Sequence, residues 1–399
     1  MRQRDQALCD EMGSQPPEPD ALAHSLRLID AICAEIEASG GRLPFQRYME
    51  LALYAPGLGY YSAGARKFGP AGDFITAPEL SPLFSRCLAR QCQQVLAITG
   101  GDILELGAGS GIMAADILLE LASLSCLPER YLILEISAEL RQRQRQTLQQ
   151  HAPELLPRVQ WLDRLPAVPI KGVILANEVI DAMPVERFQM TPQGLRSLSV
   201  AWTGTRFRTC LDTPGAALTA WYQALTQMLG YTLPSGYESE HNPHLTDWLR
   251  GLANSLRRGA MLFIDYGYPA REYYHPERSM GTLVCHYRHR AHADPFIYPG
   301  LQDITANVDF SALAEAALAA DLELLGYTSQ NYFLFGCGLE KLLAAADPTD
   351  SVRYLALTGA VKQLTLPGEM GERFKVLACG RGLTEPLCGF SFRDERFRL

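Results

Sequence analysis

The stretch DILELGAGSGIMAADIL, residues 102–118, sets three glycines at alternate positions between an apolar run and an Ala-rich segment of helical spacing. Few patterns restrict a chain more. A short buried strand, a glycine turn and a helix in succession form the opening unit of a βα ligand site. Such a turn serves dinucleotide pyrophosphates, nucleotide phosphates and sulfonium nucleosides alike, so its spacing and its neighbours must decide among them.

The spacing argues against the first two. A nicotinamide fingerprint places its third glycine three positions after the second, whereas Gly107, Gly109 and Gly111 are evenly spaced and Ile112 stands where that pattern wants glycine. No Gly-Lys-Ser/Thr follows, which removes a Walker phosphate loop. Glu105, just before the turn, would repel a pyrophosphate but suits an ammonium or a sulfonium, the two cations of S-adenosylmethionine. The backbone of Gly107, Ala108, Gly109 and Gly111 would then border the methionine part and the ribose. Glu135 lies 28 positions beyond Gly107, where an acid accepts from ribose hydroxyls, and Asp163 after the next strand is placed for the adenine amino group. Each acid alone reads equally well as a helix cap or a solvated loop charge. Three at successive strand ends beside a glycine turn point to the cofactor.

Strands are expected at 102–106, 131–136, 159–162, 172–176 and 260–265, with LELLGYTSQ and FKVLACG adding two more after a helix at 310–320. Alternation of this kind predicts an α/β fold with a Rossmann-like, seven-stranded parallel sheet and helices on both faces. Residues 1–20 read as a flexible lead-in. Residues 21–100 read as an N-terminal cap, with one helix stopping at Gly40-Gly41 and then ordered loops crossing the main domain. The domain itself spans 101–399, with insertions at about 188–243, whose first half reads as short β-hairpins, and 266–308. Both insertions leave carboxyl ends of strands, the ligand side of such a sheet.

With 36 basic against 44 acidic residues the chain carries a net charge of −8, which disfavours nucleic acid and anionic membrane and favours a cationic substrate. Ten cysteines without a CxxC pair suggest a reducing compartment. No apolar run suits a membrane span, and the first twenty residues read as neither secretion signal nor transit peptide, so the expectation is a soluble cytoplasmic protein.

The fourth strand leads into ANEVIDAMPVERF, residues 176–188. Asn177 would lie beside the cofactor, while Glu178, Asp181 and Glu186 offer carboxylates to a substrate. A carboxylate pair holds a guanidinium in bidentate fashion and concentrates the lone pair on the attacking nitrogen. The bland alternative is a turn with solvated acids.

These strings, together with GLGYYSAGARKFGPAGDFITAPELSPLF, LPGEMGERFKVLA and the long run from LFIDYGYP to NVDF, resemble the MidA-like class I methyltransferases over about residues 43–378. The family's glycine motif matches Gly107, Gly109 and Gly111, and its NEVxDAxPV matches Asn177 through Val185. The resemblance implies an S-adenosylmethionine fold and protein arginine N-methylation, giving symmetric dimethylarginine in a mitochondrial member that assembles a respiratory complex. The expected partner is a protein with a target arginine, such as a respiratory-complex subunit, with a homodimer left open. Two other readings stay open: methylation of a small molecule or another side chain, and a non-catalytic assembly factor.

Three further features bear on the site. CHYRHRAHADP carries Cys285, His286, His289 and His292, but its arginines would repel a metal ion and no second ligand cluster completes a site, so no metal is expected. GDFITAPELSPLF offers Thr76 to the cofactor and Glu79 to the substrate, at a spacing that also fits a helix capping box. Asp303 in the second insertion is the further acid placed for substrate.

Overall fold

The computed structural model of the chain describes residues 17–62 and 76–399. The expected lead-in up to residue 16, and residues 63–75 of the segment expected to cross the main domain, lie outside the described residues.

Seven strands build the central sheet: β1 (Asp102–Leu106), β2 (Tyr131–Leu134), β3 (Val159–Leu162), β4 (Ile170–Asn177), β5 (Leu256–Tyr268), β6 (Glu323–Ser329) and β7 (Phe374–Arg381). Their spatial order is β3-β2-β1-β4-β5-β7-β6, and a two-residue strand, Val308–Asp309, lies along the end of β5. Period-two alternation explains the packing on both faces. Ile103, Val173, Leu175, Ala260, Leu262 and Ile264 point into one apolar layer, and Leu104, Leu106, Ile174, Ala176, Met261 and Phe263 into the other.

The sheet is not wholly parallel, as the sequence had suggested: β7 runs against both β5 and β6. The one-turn helix Met370–Arg373 delivers the chain beside Tyr266, near the carboxyl end of β5, so the next strand must run back along it. β5 is longer at both ends than the expected strand.

Helices α1 (Pro19–Ala38) and α2 (Phe45–Tyr54) form the N-terminal segment. Residues 45–54 were read as loop, yet Phe45, Tyr48, Met49, Ala52 and Leu53 are buried on one helical stripe. The helix α3 (Pro82–Thr99) fills the first apolar layer together with α4 (Ile112–Ser123), which follows the glycine turn. Helix α5 (Ala138–His151) follows β2. Between β4 and β5, Glu186–Thr191, Gly194–Trp202 and Phe207–Asp212 make a meander; Glu238–His241 pairs with the first of these strands and the two-residue strand Leu43–Pro44 with the middle one. After β5, Val284–Tyr287, Arg290–His292 and Asp303–Thr305 form a smaller sheet. A third core, containing Leu28, Tyr48, Val200, Phe207, Cys285 and Ile304, joins the N-terminal helices to both inserted sheets. That core sits above the carboxyl ends of the central strands and roofs the site.

Candidate functional site

The cavity at the carboxyl ends of β1–β5 holds about 1410 Å³. Its floor is the glycine turn. Gly107, Gly109 and Gly111 have φ of 62°, 51° and 86°, a region only glycine enters without strain. Their surroundings differ. A Cβ on Gly109 would meet nothing within 4 Å, because that face of the backbone opens outward, whereas one on Gly111 would come within 2.9 Å of the Cα of Gln144. Gly111, expected from the sequence to border the cofactor, lies outside the cavity lining: it caps α4 and lets α5 cross close to the turn.

Two acids flank the turn. Glu105 is 1% exposed; its Oε2 accepts from the Tyr131 hydroxyl at 2.6 Å and its Oε1 has no partner among the described residues. Burial pushes its carboxyl up to about 7, against the pull of Tyr131. Glu135 accepts from the Ser137 N–H at 2.9 Å and from Gln144 Nε2 at 3.1 Å, and burial raises it as well. Ala108, Asp163, Asn177 and Thr76 also line the cavity, and Ile136 stands 75% exposed at its edge beside Leu165. Thr76 is the N-cap residue of the one-turn helix Ala77–Leu80, but its side chain makes no capping bond. Glu79 accepts from the Ser110 hydroxyl, which ties that helix to the glycine turn.

The loop after β4 supplies the opposite wall. Glu178 adopts a left-handed conformation, φ 53°, held by its N–H bond to the Ile264 carbonyl at 2.9 Å, and strain of this kind gathers at functional sites. Asn177 Nδ2 donates to Glu178 Oε1 at 3.1 Å, leaving Asn177 Oδ1 buried without a partner among the described residues. Asp181 accepts from the Tyr266 hydroxyl through Oδ2, and its buried Oδ1 likewise has none. Burial, then the neighbouring Asp181, pushes Glu178 up to about 8; burial lifts Asp181 to about 6.

Several residues here were missed from the sequence. Asp265, on β5, accepts the N–H groups of Ile180 at 3.1 Å and Asp181 at 3.2 Å through Oδ2, and that of Tyr266 at 3.0 Å through Oδ1. It fixes the acidic loop from behind. Asp265 was visible as the last residue of an expected strand, the same signal that singled out Glu135. Tyr54 and Tyr61 stack at 5.5 Å, the first donating to the Ala182 carbonyl at 2.8 Å and the second to both oxygens of Asp303 at 3.0 and 3.1 Å. The roof and the second insertion therefore meet at the acids. Glu186 does not join them: it lies on the inserted sheet, 3.2 Å from His241 Nε2, and does not line the cavity. The histidine-rich segment is a β-hairpin, and of its histidines His286 alone lines the cavity; among the described residues no His, Cys, Asp or Glu group is arranged to hold a metal ion.

Eight carboxylates line the cavity, from Glu79, Glu105, Glu135, Glu139, Asp163, Glu178, Asp181 and Asp303, against Arg164 and Arg373 among the described residues. Unpartnered buried acceptors at Glu105, Asn177 and Asp181 call for ligands that bring donors and positive charge. A sulfonium nucleoside with a free ammonium meets that demand, and the open face of Gly109 leaves room for it.

Comparison with known proteins agrees. Residues 87–328 match the model of a family described as "Putative S-adenosyl-L-methionine-dependent methyltransferase". The human mitochondrial protein arginine methyltransferase NDUFAF7 is 30% identical, over 85% of this chain and 80% of its own length. The Drosophila melanogaster homologue of that mitochondrial enzyme is 28% identical over 94% and 93%. A crystal structure from Burkholderia thailandensis, bound to S-adenosyl-homocysteine, is 46% identical with a TM-score of 0.92, over 97% of this chain and all of that one. The mitochondrial naming of these relatives overturns the expectation of a cytoplasmic protein. By the family match and by likeness along nearly its whole length, the chain belongs to this family of S-adenosylmethionine-dependent methyltransferases.

Proposed function

We propose that the chain methylates the guanidinium of an arginine in a protein substrate. The observation that carries this reading is the wall of Glu178 and Asp181, with the unpartnered Oδ1 of Asp181, facing the same cavity as the glycine turn. The relatives named as arginine methyltransferases support it. Symmetric dimethylarginine as product, and a respiratory-complex subunit as target, are the finer forms of the same proposal.

S-adenosylmethionine supplies an electrophilic methyl on its sulfonium. On the cofactor side, Glu105 accepts from the ammonium and Gly107, Ala108 and Gly109 leave their backbone open to the chain. Glu135 accepts from the ribose hydroxyls, Asp163 receives the adenine amino group between Ile136 and Leu165, and Asn177 and Thr76 close the ends. On the other side Glu178 and Asp181 grip the guanidinium, with Asp303 and Glu79 at the rim. Glu186 has no part in it. Transfer is an in-line displacement, so these residues mainly position the nucleophile and manage its proton. A guanidinium seated against Glu178 and Asp181 favours their ionised forms, and Glu178, the acid with the higher affinity for protons, takes the one released by the methylated nitrogen.

The test is kinetic. With an arginine peptide that the protein methylates, Glu178→Gln should lower kcat/KM by about 2–5 kcal/mol, converted from the rate ratio, while calorimetry shows unchanged S-adenosyl-homocysteine affinity. Near-normal turnover in the variant would refute the grip.

A further inference from the structure

Gln144 carries no reactive group and does not line the cavity, yet it touches the carboxyl ends of three strands at once. It lies on α5 and is fully buried. Its Nε2 donates to the Gly109 carbonyl at 3.1 Å and to Glu135 Oε2 at 3.1 Å, and its Oε1 accepts from the indole N–H of Trp161, on β3, at 2.9 Å. Both amide hydrogens and the amide oxygen are thus used. The orientation is forced: turning the amide over would set its oxygen against two acceptors and its NH₂ against an indole N–H.

The geometry has two consequences. Glu135 has one oxygen held by the Ser137 N–H and the other by Gln144, so the carboxylate plane is fixed rather than free to swing. The Gly109 carbonyl is drawn toward α5. Because the peptide is planar and trans, the Ser110 N–H is turned to the opposite edge. Gly111 belongs to the same device, since only glycine admits the Gln144 backbone so close to the turn.

We propose that Gln144 is the positioning residue that sets the Glu135 carboxylate and the Gly109 peptide for the cofactor's ribose, and so determines how strongly the enzyme prefers a ribonucleoside cofactor over its 2′-deoxy analogue. The proposal rests on the assignment of the ribose hydroxyls to Glu135. A glutamine that merely filled space would affect stability alone. A positioning glutamine affects recognition of one particular hydroxyl pair.

The experiment measures, by calorimetry on the full chain, the affinity of S-adenosyl-homocysteine and of its 2′-deoxy analogue for the unaltered protein and for Glu135→Gln, Gln144→Met and Trp161→Phe. A hydrogen bond to a charged acceptor is worth about tenfold in affinity or more, so the unaltered protein should prefer the ribonucleoside by about that factor. Glu135→Gln and Gln144→Met should both bring the ratio close to one. In turnover, Gln144→Met should raise the KM for S-adenosylmethionine about tenfold with kcat at saturation little changed, since its contacts lie away from the acids that face the methyl. Trp161→Phe, which frees only the amide oxygen, should lower the melting temperature and keep the ratio. If Glu135→Gln loses the preference and Gln144→Met keeps it, the role of Gln144 is overturned and the ribose assignment stands. If Glu135→Gln keeps it, the ribose assignment fails and the proposal with it. Should Gln144→Met not fold, Gln144→Glu keeps the shape. Its carboxyl can donate only when protonated, so the preference should be partly present at low pH and absent at high pH, and a preference unchanged across pH would overturn the proposal.

Discussion

Gly109 and Gly111 stand two positions apart and serve different ends. A side chain at 109 would project into the cavity, while one at 111 would strike the backbone of α5. Gly109→Val should therefore abolish cofactor binding by calorimetry, with a loss of stability of about 1–2 kcal/mol from the left-handed backbone. Gly111→Ala should do the reverse in emphasis: a methyl group 2.9 Å from the Gln144 Cα must push α5 away, so the melting temperature should fall more than for Gly109→Val. Equal melting temperatures for the two variants would contradict this division. The sequence spacing made the three glycines look alike. The difference between them arises from Gln144, more than thirty positions on in the chain, which spacing within the motif does not report.

At the scale of elements, the acidic loop after β4 owes its shape to β5. Asp265 accepts two of that loop's N–H groups and Tyr266 holds Asp181. Asp265→Asn keeps one acceptor oxygen and places an NH₂ where the other was. It should cost about 1–3 kcal/mol in thermal or denaturant unfolding and lower kcat, with cofactor affinity unchanged. A variant that lost stability but kept kcat would show that the loop is held by other means. Tyr61→Phe removes the hydroxyl that links the roof to Asp303, and should raise the KM for the protein substrate more than it lowers kcat. Sequence patterns exposed the strands, the glycine turn and the chemical character of Glu105, Glu135, Glu178 and Asp181, because each is local: an apolar run, a turn, an acid at a strand end. They did not expose α2, whose apolar stripe was hidden by a Gly-, Pro- and aromatic-rich setting. Nor did they expose Gln144 or Tyr61, whose partners Gly109 and Asp303 lie far away along the chain. Glu186 illustrates the opposite error. Its place in an acid-rich string suggested the site, but β-pairing with Glu238–His241 carries it onto the inserted sheet.

For the whole molecule, the site gathers negative charge where water is scarce. Glu105, pushed up to about 7, and Glu178, pushed up to about 8, hold protons more tightly in the folded chain than in the unfolded one. Their contribution to stability is present below about pH 4.5 and is lost as pH rises through 7 and 8, on the order of 3 kcal/mol for Glu105 alone. A cationic cofactor relieves that loss. The rise in melting temperature produced by saturating S-adenosylmethionine should therefore be larger at pH 8.5 than at pH 6, and Glu105→Gln should flatten the difference. A shift that shrank with pH would mean that the acids do not face the cation.

On the function proposed above, the glycine turn and the acidic wall form one arginine-methylating site. It is tested most directly by incubating the purified chain and isotopically methyl-labelled S-adenosylmethionine with protein extract from cells that lack this chain, then hydrolysing the proteins to amino acids and separating the labelled products. The account predicts label in methylarginine, absent with Gly109→Val and strongly reduced with Glu178→Gln. Label confined to methyl-lysine, to another side chain or to small molecules would contradict the arginine assignment, and no label in any fraction would contradict catalysis.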